Sequence, residues 1–147
     1  MNPLECRSRF STAATASLAT VGAPGPHLVP VVFALSGDRL VTAVDHKPKR
    51  TRRLQRLANI SVESSVCLLV DHYDDDWTQL WWVRADGVAR VIEDRAEMQP
   101  AIDLLVAKYE QYQVMRPQGP VIEIAIEKWS GWSAHPIASE SLDLDGK

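Results

Sequence analysis

The densest run of side chains that could do chemistry lies between Asp45 and Arg56. It holds six basic residues, Lys47, Lys49, Arg50, Arg52, Arg53 and Arg56, against one acid, Asp45. Lysines supply compact point charges, and arginines supply planar forks that match phosphate and carboxylate. The run joins the apolar stretch Leu40–Val44 to a stretch with helical spacing, and Pro48 stiffens the join. A helix N-terminus presents free N–H groups and a partial positive charge. Cations at that end oppose the dipole unless an anion offsets them, which favours a phosphate site. The same residues also fit the solvated basic face of a short helix, and spacing alone leaves both readings standing.

The average charge conceals this run. The 147-residue chain has a formal net charge of −3, so a +5 segment leaves −8 on the remainder. A cationic patch on an acidic protein points to a discrete anionic ligand and away from nucleic acid. With 46% hydrophobic and 24% charged residues, the composition is that of an ordinary soluble globular protein, which sets aside disorder, collagen and coiled coil. The length suits one domain with its own core. Residues 1–136 are expected to form that domain and 137–147 a loose polar tail.

A second cluster is Trp77, Trp81 and Trp82. Strand alternation would place Trp77 and Trp81 on one face and Trp82 on the other. Flat aromatics suit core packing, a planar ligand or a subunit interface. The stretch Asp71-His72-Tyr73-Asp74-Asp75-Asp76 lacks the spaced oxygens and distal Glu of a calcium loop and reads as a solvated acidic turn. His27, His46, His72 and His135 show no HxH or HExxH spacing, and Cys6 and Cys67 no CxxC, so no metal site or disulfide is expected. Neither GxSxG, GxGxxG nor a P-loop occurs. With no nucleophile or acid–base pair in view, no catalytic residue is assigned, and any chemistry would belong to a bound cofactor.

Those groups need elements to position them. Residues 4–12 fit a short helix. Ala14–Val21, Leu28–Leu35 and Leu40–Val44 read as three antiparallel strands, the last two joined at Ser36-Gly37-Asp38. Leu54, Leu57 and Ala58 place a short amphipathic helix over Thr51–Ile60, with arginines on its other faces. Val66–Val70 is a strand, and Leu80–Val83 and Val88–Ile92 flank a turn at Ala85-Asp86-Gly87. Arg95–Tyr109 is a helix capped by Asp94, with Pro100 predicted to kink it or delay its start. Val121–Ile126 is a last strand with apolar residues on both faces. Six or seven hairpin-linked strands favour an antiparallel barrel or sandwich with peripheral helices over a doubly wound sheet. No leader pattern opens the sequence and no run nears the ~18 apolar residues of a membrane span, so a cytoplasmic protein with reduced thiols is expected.

Several of these segments together carry a family resemblance. They are Ala19-Thr20-Val21, Pro26-His27-Leu28-Val29-Pro30-Val31, Ala43-Val44-Asp45-His46-Lys47-Pro48-Lys49, Leu54-Gln55-Arg56-Leu57-Ala58-Asn59-Ile60, Val70–Trp77 and Leu80–Gly87. From about Ala13 to Trp132 the chain resembles the actinobacterial deazaflavin-dependent proteins of the pyridoxamine 5′-phosphate oxidase-like superfamily. The resemblance implies a mainly-β split barrel and a homodimer with two cofactor sites at its interface. The cofactor would be coenzyme F420, or alternatively flavin mononucleotide (FMN). Lys47, Lys49, Arg50 and Thr51 would hold its phosphate, and Arg53 its anionic tail. Pro30, Val31 and Val44 would line the ring, and Trp77 would reach it from the partner subunit. The implied reaction is hydride transfer from the reduced ring to a small electron-poor organic molecule. A non-catalytic F420 or FMN carrier is the alternative. The residues that would bind pyridoxamine phosphate as substrate are lacking, so that oxidase activity is not implied.

Overall fold

The computed structural model describes residues 1–44 and 54–134. In chain order they form α1 (Pro3–Ser11), β1 (Ala16–Gly22), β2 (Gly25–Val31), β3 (Ala34–Ser36), β4 (Arg39–Ala43), α2 (Gln55–Val62), β5 (Ser65–His72), a 3₁₀ turn (Trp77–Gln79), β6 (Trp81–Ile92), α3 (Arg95–Lys108), α4 (Glu110–Val114) and β7 (Val121–Ser133). None of the helices is long and apolar enough to cross a membrane. The expected tail, 137–147, lies outside the described residues.

All seven strands join one sheet in the order β2-β1-β5-β6-β7-β4-β3, and every neighbouring pair is antiparallel. The two edge strands, β2 and β3, are separated in the chain only by Val32 and Phe33. Three peptide steps reach at most roughly 11 Å. The sheet must therefore curl until its edges nearly meet at that end, which makes a barrel with one seam. The mainly-β antiparallel barrel with peripheral helices is thus the fold the sequence leads one to expect.

The seam leaves backbone groups without strand partners, and side chains satisfy them. Thr42 donates to the Val32 carbonyl at 2.7 Å. The Tyr109 hydroxyl accepts from the Phe33 N–H at 3.0 Å and lies 2.9 Å from the Phe33 carbonyl and 2.8 Å from that of Ala14, so its one proton goes to either. The Lys108 ammonium donates to the Ala13 carbonyl at 2.8 Å and sits 3.8 Å from the centre of the Phe33 ring. Burial pushes the Lys108 pKa down, and the carbonyl and the ring face offset part of that cost.

Two cores result. Leu18, Phe33, Leu40, Leu68, Val83 and Ile124 are among the residues filling the barrel, and Phe10 of α1 packs on Phe33 with ring centres 5.1 Å apart. Outside the barrel, Met98, Ile102 and Leu105 of α3 cover Ala34, Val41, Ala43 and Val121. Strand β4 and the start of β7 are therefore buried on both faces, as the apolar run Val121–Ile126 predicts. Asp94 caps α3 by accepting the Glu97 N–H at 2.9 Å.

Four local expectations are corrected. Leu28–Leu35 is not one strand: it breaks at Val32–Phe33 because its halves belong to opposite edges of the sheet. Ala85-Asp86-Gly87 is not a turn. It lies inside the continuous strand β6, at a bulge where the partner register skips Glu127. A Cβ on Gly87 would strike the Ala125 carbonyl oxygen, so the glycine serves close backbone approach. Helix α2 starts at Gln55, since Leu54 is extended and caps it without a side-chain bond, so Thr51 does not open it. Helix α3 runs through Pro100, which is exposed, so the carbonyl left unpaired one turn earlier faces water.

Candidate functional site

A cavity of about 470 Å³ opens at the seam. Its lining includes Thr15, Pro30, Val31, Thr42, Arg56 and Tyr112. Edge-strand position explains Pro30: an N–H lost on an edge strand breaks no ladder bond. The same Tyr109 and Thr42 that close the seam form part of the wall.

Among the described residues, Arg56 is the one basic side chain in this lining. Its Nε is buried and has no hydrogen-bond partner. Burial lowers the guanidinium pKa, and no carboxylate is among the described residues of the lining. An uncompensated cation of this kind is costly unless an anion arrives.

Helix α2 holds Arg56 there through a polar anchor. Asn59 donates to the buried Thr20 hydroxyl of β1 at 2.9 Å and accepts from Gln55 at 2.8 Å. Gly22 leaves room for this, because a Cβ there would collide with the Asn59 amide. Asn59 and Ile60 are the buried residues of α2, and Arg56 precedes them by three and four positions, on the same face. The predicted apolar face is only half-buried, with Leu54 and Leu57 packing against the core edge.

The sequence-predicted site residues separate into three groups. Pro30 and Val31 meet at the cavity. Val44 is buried in the barrel core, donates its N–H to the Pro120 carbonyl at 2.8 Å, and does not line the cavity. Trp77 is not on a strand with Trp81. Asp76 caps the intervening 3₁₀ turn by accepting the Thr78 N–H at 3.1 Å, and this leaves Trp77 68% exposed. Lys47, Lys49, Arg50, Thr51 and Arg53 lie outside the described residues, as does the rest of 45–53. By sequence Arg56 is one of the six basic residues between Asp45 and Arg56, with nothing in the run to rank it above the others. Its spacing to Asn59 and Ile60 is the signal that singles it out. Tyr109 reads as one residue of an apolar helix face, and nothing local marks its hydroxyl as the seam's clasp.

A family model described as Pyridoxamine 5'-phosphate oxidase matches residues 3–133. No curated protein matches the sequence. Among solved structures, an FAD-binding protein from Mesorhizobium loti is 19% identical, with a TM-score of 0.68 over 89% of this chain and 94% of that one. A conserved hypothetical protein from Mycobacterium tuberculosis is 19% identical, with a TM-score of 0.71 over 91% and 86%. An FAD binding protein from Mycobacterium smegmatis is 16% identical, with a TM-score of 0.59 over 90% and 94%. Identities this low speak for a shared fold.

Proposed function

The chain belongs to the pyridoxamine 5′-phosphate oxidase family, and from that premise we propose that it is an oxidoreductase that binds coenzyme F420 in the seam cavity. The observation that carries this reading is Arg56, a cation in the cavity wall with a buried, partnerless Nε. An anionic cofactor supplies the missing partner. Ala43 and Arg56, which bracket the cationic run in sequence, both line the cavity. That is where Lys47, Lys49, Arg50, Thr51 and Arg53 are needed if they hold a phosphate and an acidic tail.

When bound, the reduced deazaflavin ring supplies a hydride to a small electron-poor organic substrate. The chain's own part is to bind, orient and exclude water. Arg56 fixes the anionic end, while Pro30 and Val31 offer a rigid apolar surface to the ring. FMN is the second candidate, favoured by the FAD-binding relatives from Mesorhizobium loti and Mycobacterium smegmatis. Titrating purified protein with F420 and with FMN separates the two. Micromolar F420 binding is expected, with Lys49→Glu or Arg50→Glu weakening it about tenfold through loss of charge-assisted bonds. Absence of F420 binding at micromolar protein would overturn the leading assignment. Turnover of quinones and enones then distinguishes enzyme from carrier.

The active form in this proposal is a homodimer. On the outward face of β2-β1-β5-β6-β7, Leu28, Val21, Leu69 and Trp132 are exposed by 68%, 51%, 39% and 47%. This face carries exposed apolar side chains on both sides of the Arg84–Asp86 ion pair and asks for a cover, and a second copy of the chain provides a self-complementary one. Sedimentation analysis should give twice the 16.4 kDa chain mass. Leu28→Glu should shift the protein to monomer, and a monomeric parent protein would remove this element.

A further inference from the structure

A second cavity, of about 400 Å³, adjoins the first. Ala14, Thr15 and Pro30 line both, so the two share a wall. Its origin is in the sheet. Strand β1 pairs with β5 only from Ser17 to Ala19, opposite Leu69 to Cys67. Beyond Leu69, strand β5 continues through Val70, Asp71 and His72 while still paired to β6. The two strands thus splay apart, and the β5 edge that faces β1 lies open along a cleft.

The cleft differs chemically from its neighbour. Among the described residues its lining contains no lysine or arginine, although the Arg9 guanidinium lies 5.3 Å from the centre of the Trp81 ring, and Asp71 contributes an exposed carboxylate. The Asp71 carboxylate disfavours anions at its end of the cleft, whereas the first cavity offers an anion Arg56. His72 stacks on Trp81, with ring centres 5.8 Å apart and planes inclined by 15°, and this flat pair forms one wall. Thr15 and Ser17 bring hydroxyls with no hydrogen-bond partner among the described residues. Along an open strand edge, the N–H and C=O of one residue point to the same side. A planar lactam or cis-amide carries a complementary donor and acceptor side by side.

We propose that this cleft is the substrate subsite, and that it takes a neutral planar ring with a lactam or cis-amide edge. The ring stacks against the His72–Trp81 pair, and its amide edge pairs with the open edge of β5. Naming the ligand a substrate rests on the cofactor assignment of the first cavity; the binding itself does not.

The test is a ¹H–¹⁵N titration of the full chain, without cofactor, using 2-quinolinone and then quinoline-2-carboxylate. The lactam should move the Trp81 indole N–H, identified with Trp81→Phe, and the amides of Val70 to His72, in a saturable way. The carboxylate should bind about tenfold more weakly, and Asp71→Asn should narrow that gap. The exposed His72→Ala change should weaken the lactam about fivefold through lost stacking. Shifts confined to other parts of the chain, or equal binding of both probes, would overturn the cleft. If F420 or FMN binds but the lactam leaves Trp81 and β5 unmoved, the cleft proposal alone fails. If the lactam binds as described but neither cofactor does, the cleft is upheld and the cofactor assignment falls.

Discussion

Replacing Arg56 with methionine is expected to weaken cofactor binding about thirtyfold while leaving the protein as stable as before or more so. A charge-assisted hydrogen bond contributes about 2 kcal/mol, which sets the fold-change. The stability side follows from the partnerless Nε and the pKa lowered by burial. Removing this guanidinium costs its Nε no hydrogen bond among the described residues and relieves a desolvated charge, while methionine keeps the apolar stem's contacts. Opposite movement of affinity and stability marks a residue kept for a ligand. Isothermal titration with F420 and with FMN, beside a urea melt, reads both quantities. Equal loss of both would make Arg56 a packing residue, and unchanged affinity would remove it from the site.

Phe33→Ala should cost about 4 kcal/mol, the usual range for emptying a buried phenylalanine site. The ring is fully buried and packs on Phe10. It also lies beneath the Lys108 ammonium. A domain of this size has about 5–15 kcal/mol in all, so the variant should be close to unfolding at 37 °C. Urea denaturation should show a strongly lowered midpoint. Val114→Ala, at a side chain 90% exposed, is the matched control and should stay within about 0.5 kcal/mol of the parent. A Phe33→Ala midpoint near that of the control would mean that the seam is held by Tyr109 and Thr42 alone.

What was legible in the sequence had local causes. Asp94 followed by Glu97, and the spacing of Met98, Ile102 and Leu105, locate α3 almost to the residue. The apolar run at Val66–Val70 locates β5, and the Gly37-Asp38 pair locates the β3–β4 hairpin. What misled had distant causes. Asp86-Gly87 is a turn dipeptide by every local measure, and only the Ala125 carbonyl on β7 decides that it is a bulge. Leu28–Leu35 is an unbroken apolar run, and its division depends on which neighbours its two halves find. The site divides in the same way. Pro30 and Val31 were reachable through family resemblance, whereas Arg56 required knowing that Asn59 is tied to Thr20. Val44 shares a strand end with the cavity but faces the core, a distinction of side that residue type cannot convey.

The place of the last strand has a consequence for synthesis. Strand β7 lies between β6 and β4, so β3 and β4 have only each other until residues 121–133 leave the ribosome. A nascent chain that stops short of β7 holds two separate sheet fragments, β2-β1-β5-β6 and β3-β4, with two additional bare edges. Neither fragment can close a barrel. The longest-range pairings thus come last in translation, and chaperone dependence should concentrate in that interval, with truncation before Val121 yielding aggregates in place of a smaller folded domain.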